Sequence, residues 1–308
     1  AELAAQGVLV VAAAGNETGP VETPGNCSGV LTVAGLRHVG TKVGYSSLGA
    51  EVAIAAPAGN CVGNFLPCQF PINTLTNTGS NSPATNTYTD GFDYNVGTSF
   101  SAPPAAGTAA LMLALNPALT PDRIISRIQS SARPFPVDSA LPTCPATASS
   151  GQCNCTTSTC GAGMLDASAA VAAAVGPVAK IEALDPLKTG TIQLDGSSAA
   201  TAGRVITSWQ WRLVSAPSGA SLGSLTGATT RLQAPAAGSY LLRLTVTDNV
   251  GASDTVETTL AVSKPGSGGG GGSADWLVLV ATGLLCGLAY RCRSRATTSA
   301  QAIPPSQP

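Results

Sequence analysis

The first strong feature of the chain is an apolar run, Val8-Leu-Val-Val-Ala-Ala-Ala14, that stops at Gly15-Asn16. The run is continuous, not alternating, so it predicts a central parallel strand buried on both faces, with Ala1 to Gln6 as the tail of a preceding helix. A second strand-like run covers Val30 to Leu36. Residues 97–107 read Gly-Thr-Ser-Phe-Ser-Ala-Pro-Pro-Ala-Ala-Gly and lead into small apolar residues as far as Leu115. That pattern predicts a helix buried on every side, with Ser99 at its mouth and Pro103 and Pro104 in or near its first turn. Thr120-Pro-Asp-Arg is a helix start, with Ile124, Ile125 and Ile128 following on one face, and is assigned to packing.

From residue 177 the pattern changes to short alternating strands such as Tyr240-Leu-Leu-Arg-Leu-Thr-Val-Thr247, the signature of a small β-sandwich. Trp209 and Trp211, two apart on one strand, share a face and are expected to point into the core. A flexible linker, GSGGGGGS, fills 266–273. It leads to an apolar run from Trp276 to Tyr290, followed by Arg291, Arg293 and Arg295. As a helix that run would span about 22 Å, short of a hydrocarbon core of about 30 Å unless Arg291 snorkels and the bilayer thins. A buried core helix is the alternative. The arginines after the run predict a membrane segment with a cytoplasmic C-terminus and everything before it outside. The expected organisation is α/β over 1–176, β-sandwich over 177–263, linker over 264–275, membrane helix over 276–290 and cytoplasmic tail over 291–308.

Composition narrows the function. The 308 residues carry a net charge of −1, which gives no reason to expect a nucleic-acid partner. Only 10% of residues are charged and 4% aromatic, a balance typical of secreted bacterial proteins. The chain begins at Ala1 without a methionine and reads as a fragment. Of its nine cysteines, Cys286 and Cys292 lie in or beside the apolar tail, leaving seven for the globular part. The cluster Cys144, Cys153, Cys155 and Cys160 admits zinc or disulfides; C-x-C-x4-C without a nearby histidine fits common zinc spacings poorly and favours disulfides in an oxidising compartment.

Two residues are placed where chemistry gathers. Asn16 lies beyond the carboxyl end of a parallel strand, where its amide can donate into a cleft, although Gly-Asn after a strand is commonly a turn. Ser99 lies at a helix N-terminus, where free N–H groups and the dipole suit a nucleophile beside an anion-stabilising amide. A plain N-cap serine is the bland alternative.

"GTSFSAPPAAG" resembles the active-site serine motif of the subtilisin-like serine proteases, and "VVAAAGN" resembles their oxyanion-asparagine motif. "YSSLGAEVAIAAPAG" at 45–59 and "CGAGMLDASAAV" at 160–171 resemble the intervening strand segment and the closing turn and helix of the same catalytic domain. Pro104 departs from the usual histidine, which bears on local packing. The resemblance implies a parallel-sheet subtilase fold, incomplete at its N-terminus, with Ser99 as nucleophile and Asn16 and the Ser99 N–H as oxyanion donors. The family's Asp and His motifs precede the asparagine and are absent from this chain, so the 308 residues alone are expected to be inactive. His38, the only histidine, sits in a polar Arg-His-Val-Gly turn and reads as an exposed turn residue.

The resemblance brings structural calcium with it, without an assignable ligand set, and implies no redox or catalytic metal cofactor. It also frames the cysteines: a Cys61–Cys68 bridge, two bridges among Cys144, Cys153, Cys155 and Cys160, and Cys27 paired with a cysteine upstream of Ala1. "GSYLLRLTVTDNVGASDT" at 238–255 resembles the closing strands of PKD-like domains, which serve as binding modules or spacers. The tail resembles C-terminal sorting signals read by rhombosortase-type membrane proteases of Gram-negative bacteria. Together these resemblances point to a serine endopeptidase acting on proteins or peptides, secreted or tethered to the cell surface. A non-catalytic adhesion protein on a degenerate protease fold is the alternative. An α/β-hydrolase esterase fits less well, since the serine context is not Gly-x-Ser-x-Gly.

Overall fold

A computed structural model describes residues 2–61, 68–91, 94–146, 151–201 and 203–265. The chain starts with a short helix α1 (Glu2–Ala5) and strand β1 (Val10–Ala13), then β2 (Val30–Leu36) and β3 (Ile54–Pro57). These three form a parallel sheet in the order β1-β2-β3, with Val11 beside Leu31 and Val33 beside Ile54. The middle strand is buried from Leu31 through Leu36. The first strand corrects an expectation. It is an edge among the described residues, mostly half-buried, because it has one neighbour and leaves its other side open.

Two small ribbons follow, β4 (Asn60–Cys61) with β5 (Cys68–Gln69), and β6 (Thr74–Asn77) with β7 (Asn86–Thr89). The backbone sets Cys61 opposite Cys68, while the side chains of the expected bridge lie outside the described residues.

A 3₁₀ turn, Thr98–Phe100, runs into helix α2 (Ala102–Leu115), which packs Ala105, Ala109 and Met112 against Leu31, Val33 and Ile54. The expectation of burial all round fails here. Only one stripe is covered, and Leu111 and Leu115 are 57% and 47% exposed on the opposite side, since the sheet reaches a single face. Helix α3 (Pro121–Ser130) buries Ile124 and Ile128, as its spacing requires, and α4 (Ala167–Ala173) is capped by the Asp166 carboxylate accepting from the Ala169 N–H. The carbonyls at the end of α4 are held from two sides. Arg127 donates to Ala173, Ala174, Gly176 and Pro177, and Asn116 Nδ2 donates to Ala174 and Gly176.

The remaining strands are β8 (Glu182–Ala183), β9 (Gly190–Asp195), β10 (Ile206–Ser215), β11 (Ser221–Leu222), β12 (Thr229–Ala234), β13 (Gly238–Asp248) and β14 (Ser253–Val262). They form two antiparallel sheets, β10-β13-β14 and β11-β12-β9-β8. Their inner faces share a core that includes Ile192, Leu194, Leu232, Tyr240 and Leu244. Both tryptophans face that core, and their indole N–H groups donate to the Gly196 and Gly227 carbonyls. At one end, burial pushes the Asp248 carboxyl up, but the Arg204 guanidinium and the Ala252 and Val250 amides outweigh it and hold the group below the ordinary carboxylate range.

This sandwich is joined to the α/β part through Asp254. One carboxylate oxygen pairs with Arg123 of α3 at 3.0 Å, and the other accepts from the Ala179 amide at 2.8 Å. Among the described residues no helix is long and apolar enough to cross a membrane, and the expected span at 276–290 lies outside them.

Two bridges staple the loop before α4, Cys144–Cys153 and Cys155–Cys160. Both fall within the expected group of four and take their sulfurs out of reach of zinc in this oxidised state. Cys27 is itself disulfide-bonded, so the expectation that it pairs upstream of Ala1 is corrected; the side chain of its partner is not among those described.

Candidate active site

The chain turns out of β1 at Gly15, whose φ of 108° places it in the region that favours glycine. Asn16 then stands exposed at the carboxyl edge of the sheet, facing the Gly97-Thr98-Ser99 segment that enters α2. Three hydrogen bonds fasten the two segments. Thr98 N–H and Thr98 Oγ1 each donate to Asn16 Oδ1 at 2.9 Å, and the Gly15 amide donates to Thr98 Oγ1 at 3.2 Å. Thr98 is fully buried, so its hydroxyl is held between one donor and one acceptor.

With Oδ1 engaged, the Asn16 Nδ2 group has no acceptor among the described residues and points away from Thr98. The Ser99 backbone N–H is equally unengaged, and Ser99 Oγ is exposed. A Cβ on Gly97 would stand 3.4 Å from Asn16 Nδ2 and 3.8 Å from Ser99 N. Two free donors therefore flank one small space that exists because residue 97 has no side chain. The backbone there, with φ 141°, independently requires glycine.

Ser99 is not the helix cap. That position belongs to Ser101, whose hydroxyl donates to the Ala56 and Pro57 carbonyls at the end of β3. Pro103 and Pro104 follow in the first turn, where missing amide donors cost least. A further brace comes from Tyr45. Its hydroxyl donates to the Ala58 carbonyl at 2.6 Å, and the same carbonyl accepts from the Gly97 amide at 2.9 Å. Burial pushes the Tyr45 phenol up to about 12, with the Gly97 amide opposing in part, so it stays a neutral donor.

His38 lies on the exposed turn after β2, its ring 4.0 Å from Phe70, and makes no hydrogen bond to Ser99 among the described residues. Asn16 and Ser99 were both legible as motif residues. The roles of Thr98, Ser101 and Tyr45 were not, although the first two lie inside the quoted serine motif.

Residues 2–168 match the subtilase family model, peptidase S8, over more than half the chain. The chain belongs to the subtilase family. Residues 186–262 match a K319L-like PKD domain. An extracellular protease of Xanthomonas campestris is 33% identical over 173 residues, covering 55% of this chain and 24% of that protein. A calcium-dependent protease of Trichormus variabilis is 38% identical over 138 residues, covering 41% and 20%. Among solved structures, proteases from Pseudoalteromonas arctica share 36% identity, covering 56% of this chain and 44% of theirs at a TM-score of 0.44. The subtilase chain thus spans about a quarter or less of the length of these two curated relatives.

Proposed function

We propose that the chain is the C-terminal portion of a secreted serine endopeptidase that cleaves proteins or peptides through an acyl-enzyme. The observation that carries this reading is the pair of unengaged donors, Asn16 Nδ2 and Ser99 N–H, bordering one cleft beside an exposed serine hydroxyl. In the proposed reaction Ser99 Oγ attacks the scissile carbonyl carbon, and negative charge moves to the carbonyl oxygen. Both donors meet that oxygen in the tetrahedral intermediate, where they need no reorganisation. The base that takes the serine proton and the carboxylate that orients it are assigned to a His and an Asp outside these residues; His38, tilted against Phe70 on an exposed turn and without a hydrogen bond to Ser99 among the described residues, supports that assignment.

The protein is proposed to act outside the cell, in keeping with the extracellular protease it resembles. The apolar run 276–290 with its trailing arginines is proposed as a membrane anchor or sorting segment of a Gram-negative surface protein, cut by a sorting protease. Structural calcium is proposed by likeness to a calcium-dependent protease. Among the described residues no cluster of three or more carboxylates or histidines forms, so no ligand set in this chain is assigned to it.

The test is labelling of the whole protein with a phosphonyl fluoride, followed by peptide mapping. Modification of Ser99, with hydrolysis lost in Ser99→Ala and absent from the 308-residue chain alone, is expected. An unlabelled Ser99 in a folded whole protein would give the adhesion reading its support.

A further inference from the structure

From Val52 to Thr89 the sequence contains no Asp, Glu, Lys, Arg or His. Within that stretch β6 and β7 pair only with each other, and they make no substantial contact with another helix or strand among the described residues. The ribbon therefore stands off the α/β body with both strand edges unpaired among those residues. Its two faces differ. Alternation puts Thr74, Thr76, Thr87 and Thr89 on one side, and Leu75, Asn77, Asn86 and Tyr88 on the other. Leu75 lies directly opposite Tyr88, yet the two are 70% and 68% exposed. A cross-strand contact accounts only for the edges they turn to each other. The rest is apolar surface laid open to water.

The ribbon is braced at both ends. Towards its turn, Asn77 Nδ2 donates to Asn86 Oδ1 at 2.8 Å, while Asn77 Oδ1 accepts from the Gly79 and Ala84 amides. At its base, Asn95 donates through Nδ2 to the Thr89 carbonyl at 3.0 Å, and its own carbonyl accepts from the Ile72 amide at 2.7 Å. The next residue, Val96, packs with Val43, Tyr45 and Ala58, and Gly97-Thr98-Ser99 follows at once. The base of the ribbon and the wall that carries the serine are thus one braced segment. Chain lengths limit the separation of Leu75 from Ser99 to about 30 Å, a span that about nine residues of extended polypeptide cover.

We propose that Leu75 and Tyr88 form an accessory docking surface for the substrate, taking an extended, uncharged and apolar segment of polypeptide several residues away from the bond being cut. This rests on the endopeptidase reading of Ser99. The ribbon offers no charge to compensate an ionic side chain desolvated against it, whereas an apolar segment removes the Leu75 and Tyr88 side chains from water. The unpaired strand edges offer backbone groups to an extended chain. A segment held there raises the local concentration of the same polypeptide at the serine, which a substrate too short to reach the ribbon cannot exploit.

The experiment compares the whole protein with its Leu75→Asp/Tyr88→Asp and Leu75→Met/Tyr88→Phe variants on two substrates, β-casein and a four-residue p-nitroanilide. In the aspartate variant kcat/KM on casein is expected to fall about tenfold, while the nitroanilide rate stays within about twofold and the melting temperature is unchanged. The Met/Phe variant should restore casein cleavage. An unchanged casein rate in the folded aspartate variant, or equal losses on both substrates, would overturn the proposal. So would an aspartate variant that melts early or fails to fold, since the pair would then be covered in the whole protein. A whole protein that cleaves neither substrate ends the endopeptidase reading and this surface with it; one that cleaves both in an unaltered ratio ends this surface alone.

Discussion

Asn16 and Thr98, 82 residues apart, are joined by two 2.9 Å hydrogen bonds that end on the same amide oxygen. The oxygen side of the amide is thereby consumed and the nitrogen side is left to the cleft. An asparagine in this position without that restraint could rotate about its terminal torsion, whose wells are broad. Thr98→Val keeps the backbone bond and removes the hydroxyl one, along with the acceptor for Gly15. In the whole enzyme we expect turnover to fall about tenfold with KM nearly unchanged, the loss of about one hydrogen bond to a group proposed to act in the transition state. Steady-state kinetics with a chromogenic peptide checks it; a change confined to KM would place the threonine in substrate binding.

Asn16→Ala removes the donor itself. The loss known for the oxyanion asparagine of subtilisin, a member of this family, is about 2.7–4 kcal/mol in the barrier. The same range is expected here, again in turnover and not in KM, and the comparison with Thr98→Val separates the donor from its support.

Gly97→Ala should be worse than its size suggests. The backbone at φ 141° disfavours a side chain, and the new methyl would stand 3.4 Å from Asn16 Nδ2, in the space assigned to the oxyanion. A stability loss of about 1–2 kcal/mol and a fall in turnover of at least about 100-fold are expected together. Urea denaturation beside kinetics reads both. An active Gly97→Ala enzyme would move the oxyanion elsewhere.

Burial pushes the Lys42 ammonium down to about 8 from 10.5, with a direct consequence for stability. Below about 8 the folded and unfolded chains both hold the proton; between about 8 and 10.5 the unfolded chain keeps a proton that the folded one has shed. Stability therefore rises with pH across that window from this group alone. The unfolding free energy of the parent minus that of Lys42→Met, measured by urea denaturation, should climb from pH 8 to 10.5 and be flat below it. A flat difference throughout would mean that the ring of carbonyls retains the proton.

Asp254 ties α3, the chain entering the sandwich and β14 together, with side-chain exposures of 22% and 14% across the pair with Arg123. Asp254→Ala leaves the Ala179 amide without its acceptor and the Arg123 guanidinium with the Thr255 carbonyl but no counter-charge. About 1–3 kcal/mol is expected to be lost. The sandwich should then melt apart from the α/β part in calorimetry, where the parent gives a more concerted transition.

Much of this was legible from residue pattern. The unbroken run at Val8–Ala14 marked a parallel strand, though not its place at the edge of the described sheet, and Ile124 and Ile128 mark the inward side of α3. The quoted motifs located Asn16 and Ser99. What the sequence could not convey was which side chain occupies whose hydrogen bonds: that Ser101 and not Ser99 caps α2, or that Thr98 turns the Asn16 amide. Such facts depend on pairs separated by 44 to 83 residues, for which a linear pattern has no term. The expected all-round burial of α2 failed for a related reason, because small apolar residues permit close packing without specifying how many neighbours exist.

The two bridges close loops of only 9 and 5 residues in sequence separation. A peptide bond cut between Cys144 and Cys153, or between Cys155 and Cys160, leaves both new ends covalently attached to the same body. In a medium full of proteases, this stretch can be nicked without being shed, and the damage would show only on a gel run with reductant.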